Sequence, residues 1–266
     1  MRKLLSLFLL GFSVLAGELI YKYNRGRIIR NSVVFSEDFS RVAFVVYAGK
    51  KQQVVVNNRV IGSFLGVGFG SLHFVSDEVV FMAKDEKGWS LYKNGKRGNI
   101  YTLVVPESLV ISPEGNVAFV GKRGGKWYVN FNSKEFGPFE GILRDSIRVQ
   151  KDMVSFTVKD GKRWSIYLND RKIGTYDFVF PFSIQIAPCG HHIIFSVENK
   201  GHRKVILDGK EIVECERILT ETEMVQCDTE EAEKTKKWVH FNCSEKKVIF
   251  YYIKGKMVFR EEVKLE

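Results

Sequence analysis

Residues 109–139 read LVISPEGNVAFVGKRGGKWYVNFNSKEFGPF. Four apolar stretches of strand length lie in this run: Leu109–Ser112, Asn116–Lys122, Lys126–Phe131 and Lys134–Phe139. Pro-Glu-Gly, Gly-Gly and Asn-Ser separate them, and such residues turn a chain tightly. We name the strands A to D. The core of strand B, Val117-Ala118-Phe119, recurs as Val42-Ala43-Phe44, Val79-Val80-Phe81, Val154-Ser155-Phe156 and Ile193-Ile194-Phe195. The Phe spacings are 37, 38, 37 and 39 residues.

Three further features keep the same register. Asn57, Asn94, Asn132, Asn169 and Asp208 stand thirteen residues after each Phe. Asn and Asp tolerate the positive φ of a type I′ hairpin turn. Trp89, Trp127 and Trp164 stand eight after, and Gly62, Gly137 and Gly174 eighteen after, each Gly leading to Phe64, Phe139 or Tyr176. Val239-His240-Phe241 reads as a sixth, distorted copy 46 residues after Phe195, with Lys254-Gly255 at the turn offset. The charged segment Thr229–Lys236 accounts for the excess as an insertion in one loop.

A period near 38 with four strands is one propeller blade. The expected fold is an all-β, six-bladed β-propeller of four-stranded antiparallel blades. The blades are placed at about 33–70, 71–107, 108–145, 146–182, 183–220 and 221–263. Within residues 18–31, Leu19–Arg30 reads as a C–D-like hairpin. It either adds a ring-closing strand to the last blade or belongs to a seventh.

The run Ser112-Pro113-Glu114-Gly115-Asn116-Val117-Ala118-Phe119-Val120 resembles the A–B turn of TolB-type, WD-repeat-like bacterial propellers. Ser36-Glu37-Asp38 and Ala187-Pro188-Cys189-Gly190 are weaker versions of it. The Trp-Asp dipeptide of eukaryotic WD repeats is missing, and no room is left for the small α/β domain that precedes the TolB propeller. The resemblance implies an envelope protein acting as a binding scaffold; a role in the Tol system does not carry over.

Composition agrees with a folded β protein: of 266 residues, 45% are hydrophobic and 27% charged, with Phe abundant and Pro scarce. Met1-Arg2-Lys3, the uncharged run Leu4–Leu15, and Val14 and Ala16 before Gly17 have the layout of a secretory signal peptide over residues 1–16. The mature domain is then 17–266, periplasmic or otherwise extracytoplasmic, and not an integral membrane protein after cleavage. The alternative is an uncleaved anchor. Export permits disulfides among Cys189, Cys215, Cys227 and Cys243, which have three pairings.

The formal net charge is +10. In a propeller the B–C and D–A loops share one end, so the repeat assigns charges to ends. Basic residues gather in the B–C loops: Lys50, Lys51, Lys122, Arg123, Lys126, Lys162, Arg163, Arg203 and Lys204, with Trp89, Trp127 and Trp164 just after them. These twelve residues form the candidate partner-binding face, suited to a protein or an anionic envelope component. Export argues against nucleic acid.

No catalytic motif is present: G-x-S-x-G, P-loop and H-E-x-x-H are all missing. No cofactor, metal site or enzymatic activity is expected. His191 and His192 are adjacent on an expected strand and so point to opposite faces. The alternative reading is a channel-based ligand or glycan binder, or a hydrolase with a Ca-dependent site. It draws on the A–B turn acids Asp38, Asp77, Glu114 and Asp152 and on the strand A residues His73, Arg148, Gln150, Gln185 and Gln226.

Overall fold

The computed structural model describes residues 27–218 and 239–265. Among the described residues, six antiparallel sheets succeed one another along the chain, the architecture of a β-propeller. Sheet 3 shows the plan: Leu103–Ile111, Val117–Arg123, Lys126–Phe131 and Lys134–Phe139 pair in chain order. The first five sheets span residues 34–64, 66–97, 103–139, 148–176 and 178–214.

Strand B is apolar at consecutive positions because both of its faces are buried. In sheet 1, Ala43 and Val45 pack with Val79, Phe81 and Ala83 of sheet 2, while Val42, Phe44 and Val46 form a cluster on the other face. The same alternation carries on from Met82 with Phe119, through Val120 with Phe156, to Ile194 with Phe250. Each sheet is therefore stacked on the next by the repeated triplet.

The Gly-x-aromatic motif of strand D locks this stack. Phe64 of sheet 1 meets Phe81 of sheet 2 with ring centroids 5.3 Å apart. Phe139 meets Phe156 at 5.8 Å and Tyr176 meets Phe195 at 5.7 Å in the same relation. In sheets 1 and 4 the ring folds back over its own glycine. A methyl group on Gly62 or Gly174 would overlap the Phe64 or Tyr176 ring.

The sixth sheet departs from the expected reading. Val239–Asn242 is the end of its strand A, not a strand B triplet: it pairs with Lys247–Lys254 across the turn 243–246. Arg217–Ile218 pairs farther along the same strand. Lys247–Lys254 is strand B, Met257–Lys264 is strand C, and Gly255-Lys256 makes the B–C turn. The triplet is Val248-Ile249-Phe250. The insertion Thr229–Lys236 lies outside the described residues, in the stretch joining the two halves of strand A.

The N-terminal expectation changes for residues 27–29. Ile28 bridges Val46, and Ile29 N–H donates to Val45 O at 2.8 Å. Residues 27–29 thus form part of strand A of sheet 1 and are not a strand of the last sheet. Residues 1–26, on which the expected leader and most of the expected hairpin fall, lie outside the described residues.

Cys189, in the A–B turn of sheet 5, is disulfide-bonded to Cys243, in the A–B turn of sheet 6, with Cα atoms 5.8 Å apart. Cys215 is a buried thiol, and burial pushes its pKa up to about 11. Cys227 lies outside the described residues.

Candidate functional site

Side chains at one end of the sheets tie the B–C turns to the D–A turns. Arg163 pairs with Asp177 at 3.1 Å, and Asp177 Oδ2 accepts the Lys200 N–H at 2.7 Å. Lys126 pairs with Glu140. Two contacts also link neighbouring sheets: Lys51 to Glu86 at 3.1 Å, and Arg163 to Asn199 Oδ1 at 3.0 Å.

This geometry divides the twelve expected partner-binding residues. Arg123 is held by Glu135 at 3.0 Å and lies over the Tyr128 ring; Lys204 is held by Glu211 at 2.8 Å. With Lys51, Lys126 and Arg163, that makes five cations with an acidic partner. Arg203 stacks on Phe180 at 3.9 Å, and Lys122 lies 5.0 Å from the Trp127 ring. Among the described residues, Lys50 and Lys162 are exposed with no ion pair. Trp89, Trp127 and Trp164 are half-buried, each packed against a core cluster. The neutralising acids Glu140 and Asp177 were missed in the sequence, because their effect needs the two kinds of turn to meet.

The A–B turn acids at the other end serve their own surroundings. Asp38 accepts the Ser36 hydroxyl at 2.6 Å and the Ser40 amide at 3.1 Å, and these bonds hold its pKa down to about 2. Asp77 pairs with Arg41 at 3.2 Å. Glu114 is also held below the ordinary carboxylate range, chiefly by Ser112. Among the described residues, no three His, Cys, Asp or Glu side chains are grouped to hold a metal. His191 and His192 are in the A–B turn rather than on a strand; His191 has φ +69°. His192 Nδ1 contacts Asp208 Oδ2 at 2.7 Å.

Strand A carries a feature that was not anticipated. In sheets 1 to 5 its pairing is interrupted, and one serine fills each break. Ser108 Oγ donates to Val105 O at 2.6 Å and accepts the Val120 N–H at 2.8 Å. Ser32, Ser71, Ser146 and Ser183 make the same pair of bonds. Each serine precedes an aliphatic residue (Val33, Leu72, Leu109, Ile147, Ile184), a signal that is present in the sequence.

The breaks of sheets 3 and 4, with Phe182 of the sheet 5 break, border a half-open cavity of about 480 Å³. Of the strand A residues expected to line a channel, Arg148 contributes to it, while His73 Nε2 bonds Gly70 O at 2.9 Å beside a smaller cavity between sheets 1 and 2. Gln150 and Gln185 are half-buried in their strands, and Gln226 lies outside the described residues.

No family model matches the chain, and neither does any curated protein. Solved structures similar to it are propellers. TolB from Acinetobacter baumannii is 15% identical, covering 70% of this chain and 53% of that one, with a TM-score of 0.35. The chain thus spans about half the length of that TolB. The propeller domain of the Trilobed protease from Pyrococcus furiosus is 16% identical over 91% of this chain and 84% of its own, with a TM-score of 0.40. Virginiamycin B lyase from Staphylococcus aureus is 15% identical over 88% and 83%, with a TM-score of 0.32.

Proposed function

We propose that this chain is an exported, non-enzymatic propeller that docks an acidic protein partner on the end carrying the B–C turns. One observation carries the reading. Lys51–Glu86 ties the turns of sheets 1 and 2 and Arg163–Asn199 those of sheets 4 and 5, and at the same end Lys50, Lys122 and Lys162 have no acidic partner of their own among the described residues. A platform of mixed charge with unpaired cations suits a protein surface bearing acids better than a uniform polyanion. The ion-paired residues set the shape of the turns, and the three lysines supply the attraction.

Export is supported by the leader pattern of residues 1–16 and by the Cys189–Cys243 disulfide, which suits an oxidising compartment. No helix among the described residues is long and apolar enough to cross a membrane. The non-enzymatic part is supported by Asp38 and Glu114, held by serines of their own turns, by Asp77, paired with Arg41, and by His192, which contacts Asp208.

The test is capture from an envelope extract with residues 17–266, at low and at high salt, beside the triple variant Lys50→Glu, Lys122→Glu, Lys162→Glu. A partner retained at low salt, released at high salt and lost by the variant is the expected result. A partner bound equally by the variant would overturn the assignment of this face.

A further inference from the structure

We infer that the half-open cavity bordered by the strand A breaks of sheets 3, 4 and 5 binds a compact neutral apolar molecule, with any polar end left at the mouth. This inference is independent of the proposed docking face.

Size sets the class. About 480 Å³ falls within the range of small-molecule sites and is too small for a folded partner. The wall is aliphatic, built from Val105, Val110, Val120, Ile142 and Leu143, with Trp127 presenting an aromatic surface. Phe182, at the tip of the sheet 5 break, is 66% exposed on the rim. An exposed aromatic beside an apolar hollow gains buried area when a ligand fills it.

The polar groups within the lining set the ligand's polarity. The Ser108 hydroxyl is used both as donor and as acceptor. The Arg148 guanidinium donates to the carbonyls of Asp145, Ile147, Pro181 and Ile184 at 2.8–3.1 Å. From these two side chains, a hydroxyl or amide placed deep in the cavity would therefore find only the second lone pair of Ser108 in exchange for its water. Glu107, Arg144 and Asp145 are exposed at the mouth, where a polar end stays hydrated. The cavity between sheets 1 and 2 makes a useful contrast. It is about 300 Å³ and includes Asn31, Gln52 and His73 in its lining.

The experiment is a fluorescence titration of the intact mature protein with N-phenyl-1-naphthylamine, a neutral apolar probe. Saturable one-to-one binding in the micromolar range is expected. Val110→Phe, which fills the cavity, should weaken it at least tenfold. Phe182→Ser, at an exposed position that leaves the core intact, should weaken it severalfold. Phe69→Ser, an exposed aromatic lining the other cavity, should leave it unchanged. A naphthalene of equal size hydroxylated at both ends, which cannot leave both hydroxyls at the mouth, should bind more than tenfold more weakly than the probe. Failure to saturate, affinity indifferent to both Val110→Phe and Phe182→Ser, or equal loss in Phe69→Ser would each overturn the inference.

Discussion

Asn132 Oδ1 accepts the backbone N–H of Val117 at 2.9 Å, while the Asn132 N–H donates to Val117 O at 3.0 Å. The C–D turn thereby closes onto the first residue of strand B. Asn57 with Val42, Asn94 with Val79, Asn169 with Val154 and Asp208 with Ile193 repeat the pair at 2.8–2.9 Å for the side-chain bond. The thirteen-residue offset thus has two causes. The position needs positive φ (+49° at Asn132), and it needs a short side chain with an acceptor oxygen. Asn132→Ala should lose roughly 2–3 kcal/mol in urea unfolding, from the unpaired Val117 amide and the strained φ. Asn132→Asp, which reproduces the arrangement of Asp208, should lose less than half of that.

Sheet 4 provides a matched pair of buried hydroxyls, Ser146 in the strand A break and Ser155 in strand B. Ser146 is fully buried, and its Oγ accepts the Thr157 N–H at 3.1 Å. Ser155 is equally buried, but its Oγ has no hydrogen-bond partner among the described residues. Ser146→Ala should cost about 1–3 kcal/mol by leaving a backbone amide unpaired. Ser155→Ala should be neutral or stabilising by up to about 1 kcal/mol, since Ala43 and Ala118 occupy the same repeat position. Equal losses in the two variants would show that the serine does not bridge the break.

Asp85 gives the fold an acid-sensitive point. Burial works against its ionisation, yet the Tyr92 hydroxyl at 2.8 Å, Arg97 at 2.7 Å and the Lys87 amide hold its pKa down to about 2. An unfolded aspartate titrates near pH 4. Its contribution to stability is thus complete above about pH 4 and disappears as the pH falls through about 2. Asp85→Asn should lower the urea midpoint at pH 7 and flatten the decline of stability between pH 4 and pH 2. An acid profile identical to that of the parent chain would place the acid sensitivity elsewhere.

The period of the fold was legible because its causes are local. Strand B must be apolar on both faces, and the C–D turn must carry Asn or Asp, so both leave a mark every 37 to 39 residues. The sixth sheet misled for the same reason. Val239-His240-Phe241 and Lys254-Gly255 imitate the triplet and the turn, but pairing with Lys247–Lys254 assigns them to other places. The type I′ expectation held for Asn57-Asn58, Asn94-Gly95, Asn132-Ser133 and Asp208-Gly209, where both residues have positive φ; at Asn169-Asp170 only Asn169 does. The candidate face was legible as composition only. Whether Lys126 and Arg163 are free depends on Glu140 and Asp177, which are fourteen residues further along the chain in both cases and adjacent only once the sheet forms.

The disulfide should matter most to the last sheet. Cys189–Cys243 closes a loop of 54 residues, for which loop-closure entropy gives about 4 kcal/mol. Sheet 6 has a divided strand A and, among the described residues, no strand after Met257–Lys264. Cys243→Ser should lower stability by a few kcal/mol and raise hydrogen exchange first in Lys247–Lys264, with sheets 2 to 4 little changed. Cys215→Ser should leave the bridge intact when mapped by mass spectrometry.

Gly174 tests how the stack is locked. Tyr176 lies over Gly174 and meets Phe195 of the next sheet edge-on. Gly174→Ala places a methyl group inside the contact distance of the phenol, in a backbone conformation that alanine otherwise accepts. The tyrosine must then move off Phe195, at a cost of about 1–3 kcal/mol. In Gly174→Ala combined with Tyr176→Ala the overlap is gone, so the added loss from the glycine change should largely vanish. A double-mutant cycle in urea measures this directly. Additive losses would mean that the glycine is needed for the strand D backbone and not for the ring that lies on it.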